Sequence, residues 1–336
     1  MSSFTSPHAQ ELTALELNLK PAFYFPVSPK PLVMEAGFSN LGTDFGFGNG
    51  AREGLFFQRD RERERYRQTK EGVARERAWA DVGSEEQLTL HKRALAWLVK
   101  TQARELGEAL SAQGQLTLER LHALTDLQAW AAWGAEGAQA LHDLYHELAL
   151  NAQEDLALLA LAPQAPQASQ DPPREQGERP RSALIMGHVT MPSFWAPERI
   201  RGASFYDIHL PVPGFPRDER VAERLSAHIA SRGPLVRFVW TVANDDRLDH
   251  HPQGGREGWR EGQPLWFRVE RQLTVPLEGL GALFLIRTYL YPFEQLTPEQ
   301  RDTLREALEV MPEEVARYKG LWAGKEVIIK ALSTAP

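Results

Sequence analysis

Two strand-like runs in the C-terminal third set the terms for the rest of the chain. From Leu265 to Pro292 the sequence reads LWFRVERQLTVPLEGLGALFLIRTYLYP. β-Branched and aromatic residues flank a Pro-Leu-Glu-Gly-Leu-Gly turn, the pattern of a β-hairpin with a longer loop. Charge is unusually frequent inside it. Arg268, Glu270, Arg271 and Arg287 sit in runs that otherwise read as half or fully buried. A guanidinium keeps its charge when buried, so each needs an acidic partner, a ligand anion or a water-lined cavity. The hairpin therefore reads as the wall of a site.

Upstream of it the pattern is mostly strand. SALIMGHVTMP and LVRFVWTVAND read as strands, and EDLALLAL, ending at Leu161, supplies another. Between them lie a run of short turns or helices (SFWAPERIRGASFYDIHLPVPGFP) and an amphipathic helix (ERVAERLSAHIA). Helices follow the hairpin, the first capped by Thr297 through Gln300. Five strands with helices between the second and third give an α+β domain. That order is the one found in PAS domains, where a five-stranded antiparallel sheet holds a ligand on its concave face; this rests on fold analogy.

The N-terminal half reads differently. Residues 1–31 end in PAFYFPVSPKP, too apolar for a free tail, and are expected to lie on the body as an arm. A glycine- and phenylalanine-rich segment, MEAGFSNLGTDFGFGNG, lacks phosphate-loop spacing and reads as a compact loop near a pocket. From Phe56 helical patterns dominate, with Arg/Glu alternation first and then a helix capped by Ser84. The expected division is 1–150, arm and helical region, and 151–336, ligand-binding domain. Residues 161–182, rich in Pro and Gln, read as a flexible insertion.

Composition removes whole classes of chemistry. The 336 residues contain no cysteine, which excludes thiolate nucleophiles, disulfides, iron–sulfur clusters and thiolate-ligated heme. Any metal must be held by His, Asp, Glu, Tyr or Met. A net charge of −7 argues against nucleic acid or an anionic membrane surface as partner. No apolar run approaches the ~20 residues of a membrane span, and the N-terminus lacks a secretory signal pattern. A cytoplasmic protein is expected.

Three groups of residues could carry chemistry. His142 and His146 have zinc-ligand spacing on one helix face, but HDLYH lacks the glutamate of HExxH and no third ligand is evident. Two amphipathic side chains at a helix flank explain them as well. Arg237 and Arg287 stand as lone charges among apolar strand neighbours, reaching either for solvent along their stems or for a ligand. His209 precedes Pro-Val-Pro-Gly, a stiff segment that suits an axial ligand, although a carbonyl hydrogen bond would also account for it. His188, within a strand, is its competitor.

Taken together, IHLPVPGF, VRFVW, FRVERQ and ALFLIRTYLYP resemble the heme-dependent oxidative N-demethylase alpha-subunit-like family, as do QEDLALL and VTMPSFW. The likeness covers roughly residues 150 to 336. It implies a PAS-like fold binding heme b and using O2 to demethylate a small secondary amine such as dimethylamine. Electrons would come from a separate NADPH/FMN/2Fe-2S reductase, consistent with a chain that has no cysteine for a cluster. Carried over by position, His209 is the iron ligand and Arg237 the distal cation facing O2. Arg287 and Tyr289 complete the polar distal wall or bind a propionate, and Arg268 and Arg271 pair with Glu270, other acids or propionates. The chain departs from the family pattern at Val239, where Asn is expected, and at Thr190, where Cys is expected. Two rivals stand beside the oxygenase: a PAS-like heme, gas or small-molecule sensor without turnover, and a structural subunit that has lost heme.

Overall fold

In the computed structural model the three C-terminal runs are long strands, paired in sequence order as an antiparallel meander. The structure describes residues 19–28, 37–73, 75–161, 182–255 and 257–333. Seven strands form one antiparallel sheet among them: β1 (Ser39–Asn40), β2 (Trp79–Ala80), β3 (Asp155–Ala160), β4 (Ala183–His188), β5 (Leu235–Ala243), β6 (Trp266–Pro276) and β7 (Gly281–Pro292). Their order is β1-β5-β6-β7-β3-β4-β2. The α+β class follows, and the five expected strands form the contiguous middle of the sheet. What the sequence pattern did not show is the pair of two-residue strands from the N-terminal half that close both edges. Single pairs of residues carry no readable alternation.

Nine α-helices are present among the described residues: α1 (Arg63–Gly72), α2 (Glu85–Leu106), α3 (Ala112–Ala123), α4 (Leu127–Asn151), α5 (Phe205–His209), α6 (Glu219–Ser231), α7 (Pro298–Glu309), α8 (Glu313–Tyr318) and α9 (Lys325–Ser333). Ser84 accepts a hydrogen bond from the Gln87 amide, and Thr297 with Gln300 forms a full capping box, as their spacing predicts. One helical expectation fails at its start. Phe56–Asp60 is not helical, because Gln58, Arg59 and Asp60 are drawn into the interior as polar anchors. Most of the insertion at 161–182 lies outside the described residues, as do residues 1–18 of the arm.

The two sheet faces differ in how they are covered. One face packs Leu156, Leu158, Leu273, Leu283 and Leu285 against α2 and α4. The same face packs Trp240, Phe267, Val269, Tyr289 and Tyr291 against α7, α9 and the arm. Tyr24 of the arm is fully buried there, its amide donating to the Tyr291 hydroxyl at 3.2 Å. The other face receives α5 and α6, through Phe205, Ala222 and Ile229 on Ala157, Leu159 and Leu184, while Met191 and Leu248 pack on Leu290 and the Lys319 carbonyl accepts from Thr241. The alternation of buried and half-buried positions along β6 and β7 records this: Glu270, Gln272, Phe284, Ile286 and Leu290 are half-buried, and residues beside them in sequence are closed off.

Between α2 and α4 a buried histidine fixes a core contact. His91 Nε2–H donates to the Asp81 carbonyl, and Nδ1 accepts from the Tyr145 hydroxyl, each at 2.9 Å. Burial pushes its pKa down to about 4, so the folded protein holds it neutral. An unfolded chain binds the proton first as pH falls, so stability is expected to drop between pH 6.5 and about 4. Urea unfolding of His91→Gln across that window should show a shallower pH slope than the parent.

Candidate functional site

The half-covered sheet face is the only one that brings His209 and Arg237 together. His209 ends α5, a short helix started by Ser204, whose hydroxyl accepts from the Asp207 amide. Its Nδ1 lies 2.8 Å from the Phe205 carbonyl. A carbonyl only accepts, so Nδ1 carries the proton and Nε2 keeps a free lone pair. Phe205 and Phe215 both pack against the ring, at centroid distances of 4.2 and 5.2 Å. Burial, with the nearby Arg237 charge adding to it, pushes the pKa down to about 4. The imidazole is neutral at ordinary pH, and its free Nε2 has no hydrogen-bond partner among the described residues.

Across from it, Arg237 stands on β5 beside Val239 and Thr241. In register these three face Gln272, Glu270 and Arg268 on β6, which in turn face Ile286, Thr288 and Leu290 on β7. Arg237 Nε donates to Gln272 Oε1 at 2.7 Å, and its guanidinium lies over the Phe38 ring at 5.3 Å. Its terminal nitrogens make no hydrogen bond among the described residues. Phe38 belongs to the glycine-rich segment, part of which thus lies against Arg237. Val239, the departure from the family pattern, lies half-buried on this open face beside Arg237.

The other sequence candidates go elsewhere. Arg287 and Tyr289 alternate onto the opposite face from Arg237, because Arg237 faces Gln272 and then Ile286 while Arg287 faces Arg271. The expected grouping of Arg287 and Tyr289 with Arg237 is therefore corrected. Arg287 Nη2 pairs with Asp60 Oδ2 at 2.9 Å, both side chains being wholly buried, and the Tyr289 hydroxyl donates to Gln58. Arg287 also lies over the Tyr66 ring at 4.0 Å.

Arg268 and Arg271 are corrected too, since neither donates to a carboxylate or reaches an open surface. Arg268 is fully buried and donates to Ser193 Oγ and to the carbonyls of Leu248, Met191 and Pro192. Arg271 donates to the carbonyls of Glu53, Leu55 and Phe56. Both staple loops to the sheet. Backbone carbonyls were the acceptor that charge reasoning overlooked, and composition carries no sign of them.

The histidines of HDLYH form a second cluster on the far side of the sheet edge. His146 Nδ1 lies 2.9 Å from His188 Nε2, and with His142, Lys70 and Thr190 they line a narrow cleft. Its empty space is about 270 Å³, including the part open to solvent. No three His, Asp or Glu side chains converge on a metal position among the described residues. His188 Nε2 is engaged in this contact, and its buried Nδ1 has no hydrogen-bond partner among the described residues.

A neutral imidazole with an unengaged Nε2, packed against two phenylalanine rings, shares this region with a guanidinium whose terminal nitrogens make no hydrogen bond among the described residues. These residues fit a heme, whose iron the imidazole would hold and whose acidic edge the guanidinium would meet. The chain belongs to a family of that description: the model for haem-dependent oxidative N-demethylase, alpha subunit-like, matches residues 120–329. That span takes in β3 to β7, His209 and Arg237. Comparison with curated proteins finds no match. No helix among the described residues is long and apolar enough to cross a membrane.

Proposed function

We propose that this chain is the heme-binding oxygenase component of an oxidative N-demethylase, acting on a small secondary amine of the dimethylamine type. Residues 151–336 are the heme-binding unit, PAS-like in plan, and 1–150 are the arm and helices packed on it. Family membership supports the heme and the demethylase chemistry. One observation supports the residue assignment: His209, whose Nε2 has no hydrogen-bond partner, lies near Arg237, whose terminal nitrogens are likewise unengaged among the described residues.

In this reading heme b supplies the reductive activation of O2, with electrons from a separate reductase. His209 would hold the iron through Nε2, its tautomer fixed by the Phe205 carbonyl. Arg237 provides hydrogen-bond donors and positive charge where negative charge develops, the role a preorganised cation performs best in a site shielded from water. Phe284, Ile286, Leu290 and Val239 offer the apolar surface that excludes water from a small alkylamine. The protein acts in the cytoplasm, next to its reductase.

The experiment is direct. Purified protein reconstituted with heme should show a Soret band. With a flavin/iron–sulfur reductase and NADPH it should release formaldehyde from dimethylamine. A Soret band without formaldehyde from any of a panel of secondary methylamines would favour the sensor reading. Colourless protein after reconstitution would overturn the heme assignment.

A further inference from the structure

Five side chains, Arg268, Ser193, Glu270, Gln272 and Arg237, are joined by a single run of hydrogen bonds. Arg268 Nε donates to Ser193 Oγ at 2.8 Å, and Ser193 donates to Glu270 Oε1 at 2.6 Å. Gln272 Nε2 donates to Glu270 Oε2 at 2.8 Å, and Gln272 Oε1 accepts from Arg237 Nε at 2.7 Å. Donation runs inward from both arginines and converges on Glu270. Glu270 takes a proton donor on each oxygen, which orients the Gln272 amide with its nitrogen toward the acid and its oxygen toward Arg237. The far end is immobile, because the fully buried Arg268 is also clamped by the Leu248 and Met191 carbonyls.

We infer that Gln272 and Glu270 are positioning residues that aim the Arg237 guanidinium across the open face, leaving its two terminal nitrogens for a ligand. The consequence lies in what the arrangement avoids. A carboxylate directly on Arg237 would neutralise the cation and occupy its forked donors. A neutral amide engages only Nε, fixes the plane of the group and leaves its charge uncompensated at the ligand side. Glu270 balances the charge at one remove, and Ser193 ties the ladder to the loop that follows β4. This inference rests on the proposed function only for the identity of the ligand that Arg237 meets.

Two readouts test it, one of them independent of heme. In heme-free protein the Arg237 Nε–H proton should be protected from solvent exchange in NMR spectra, and Gln272→Leu should abolish that protection. In heme-loaded protein, Gln272→Leu should weaken azide binding to the ferric state about tenfold, the scale of one lost charge-assisted hydrogen bond, with the Soret band retained. Gln272→Glu keeps an acceptor for Nε–H but places a carboxylate directly on the cation, so it should retain the protection while azide affinity still falls. Unchanged Nε–H protection in Gln272→Leu, or azide affinity equal to the parent while Arg237→Leu weakens it, would overturn the inference. If His209→Ala leaves the heme spectrum intact, the ligand assignment fails while the NMR result still decides the ladder.

Discussion

Replacing His209 with alanine is expected to remove or displace the Soret band of the reconstituted protein while leaving the fold intact. The expected size follows from the geometry. The imidazole is the free nitrogen base on the half-open face, and it is already in the tautomer and charge state that an iron ion needs. His188 and His250 each engage one ring nitrogen, with His146 and Asp245, and their other nitrogen is buried, whereas His209 is half-exposed. Loss of such a ligand costs far more than loss of its hydrogen-bond orienter, so the variant should bind heme weakly or through a changed coordination. The fold should survive because His209 is only half-buried and ends a five-residue helix. Absorbance after reconstitution and circular dichroism on the same sample check both halves. A folded variant with the parent's spectrum would mean that another residue holds the iron.

The second large effect lies on the opposite face. Asp60→Ala should destabilise the protein by about 3–5 kcal/mol, the usual cost of leaving a buried charge without its partner. Arg287 has little to fall back on: its Nε and Nη1 already lack hydrogen-bond partners. Asp60 also accepts from the Gln153 side chain and the Glu62 amide through its other oxygen, so those contacts go as well. Chemical denaturation measures the loss. Replacing both partners, Asp60→Asn with Arg287→Met, should recover much of it, since the pair adds little net energy beyond satisfying itself. Where the variant folds, its heme spectrum should match the parent, because the pair lies across the sheet from His209. A changed Soret band in folded Asp60→Ala would instead place Arg287 back at the ligand.

These two residues show where sequence reasoning held and where it stopped. The strands β5, β6 and β7 were legible because period-2 alternation and a turn of Pro, Glu and Gly specify them locally. His209 and Arg237 were legible through motifs, and the structure brings them to one face. Arg287 and Tyr289 were misplaced for a definite reason. Alternation sorts each strand into two faces but does not say which face matches its neighbour's; that needs the register, and an error of one residue inverts the answer. Asp60 was illegible because it lies 227 positions from its partner inside an apparently exposed Arg/Glu helix. The ladder through Gln272 needed the register of β5 on β6 together with a serine from a distant loop. Short polar residues of that kind carry no pattern of their own.

The strand order carries a consequence for biosynthesis. β7, the last strand to leave the ribosome, occupies the centre of the sheet, between β6 and β3. Until Pro292 has emerged, β3 with β4 and β2 on one side, and β5 with β6 and β1 on the other, are two half-sheets with raw inner edges. Each exposes unpaired backbone groups of the kind that recruit other chains. A transcript truncated anywhere before β7 should therefore yield insoluble product rather than a smaller soluble fragment, and a chaperone that shields strand edges would find its client in the nascent chain.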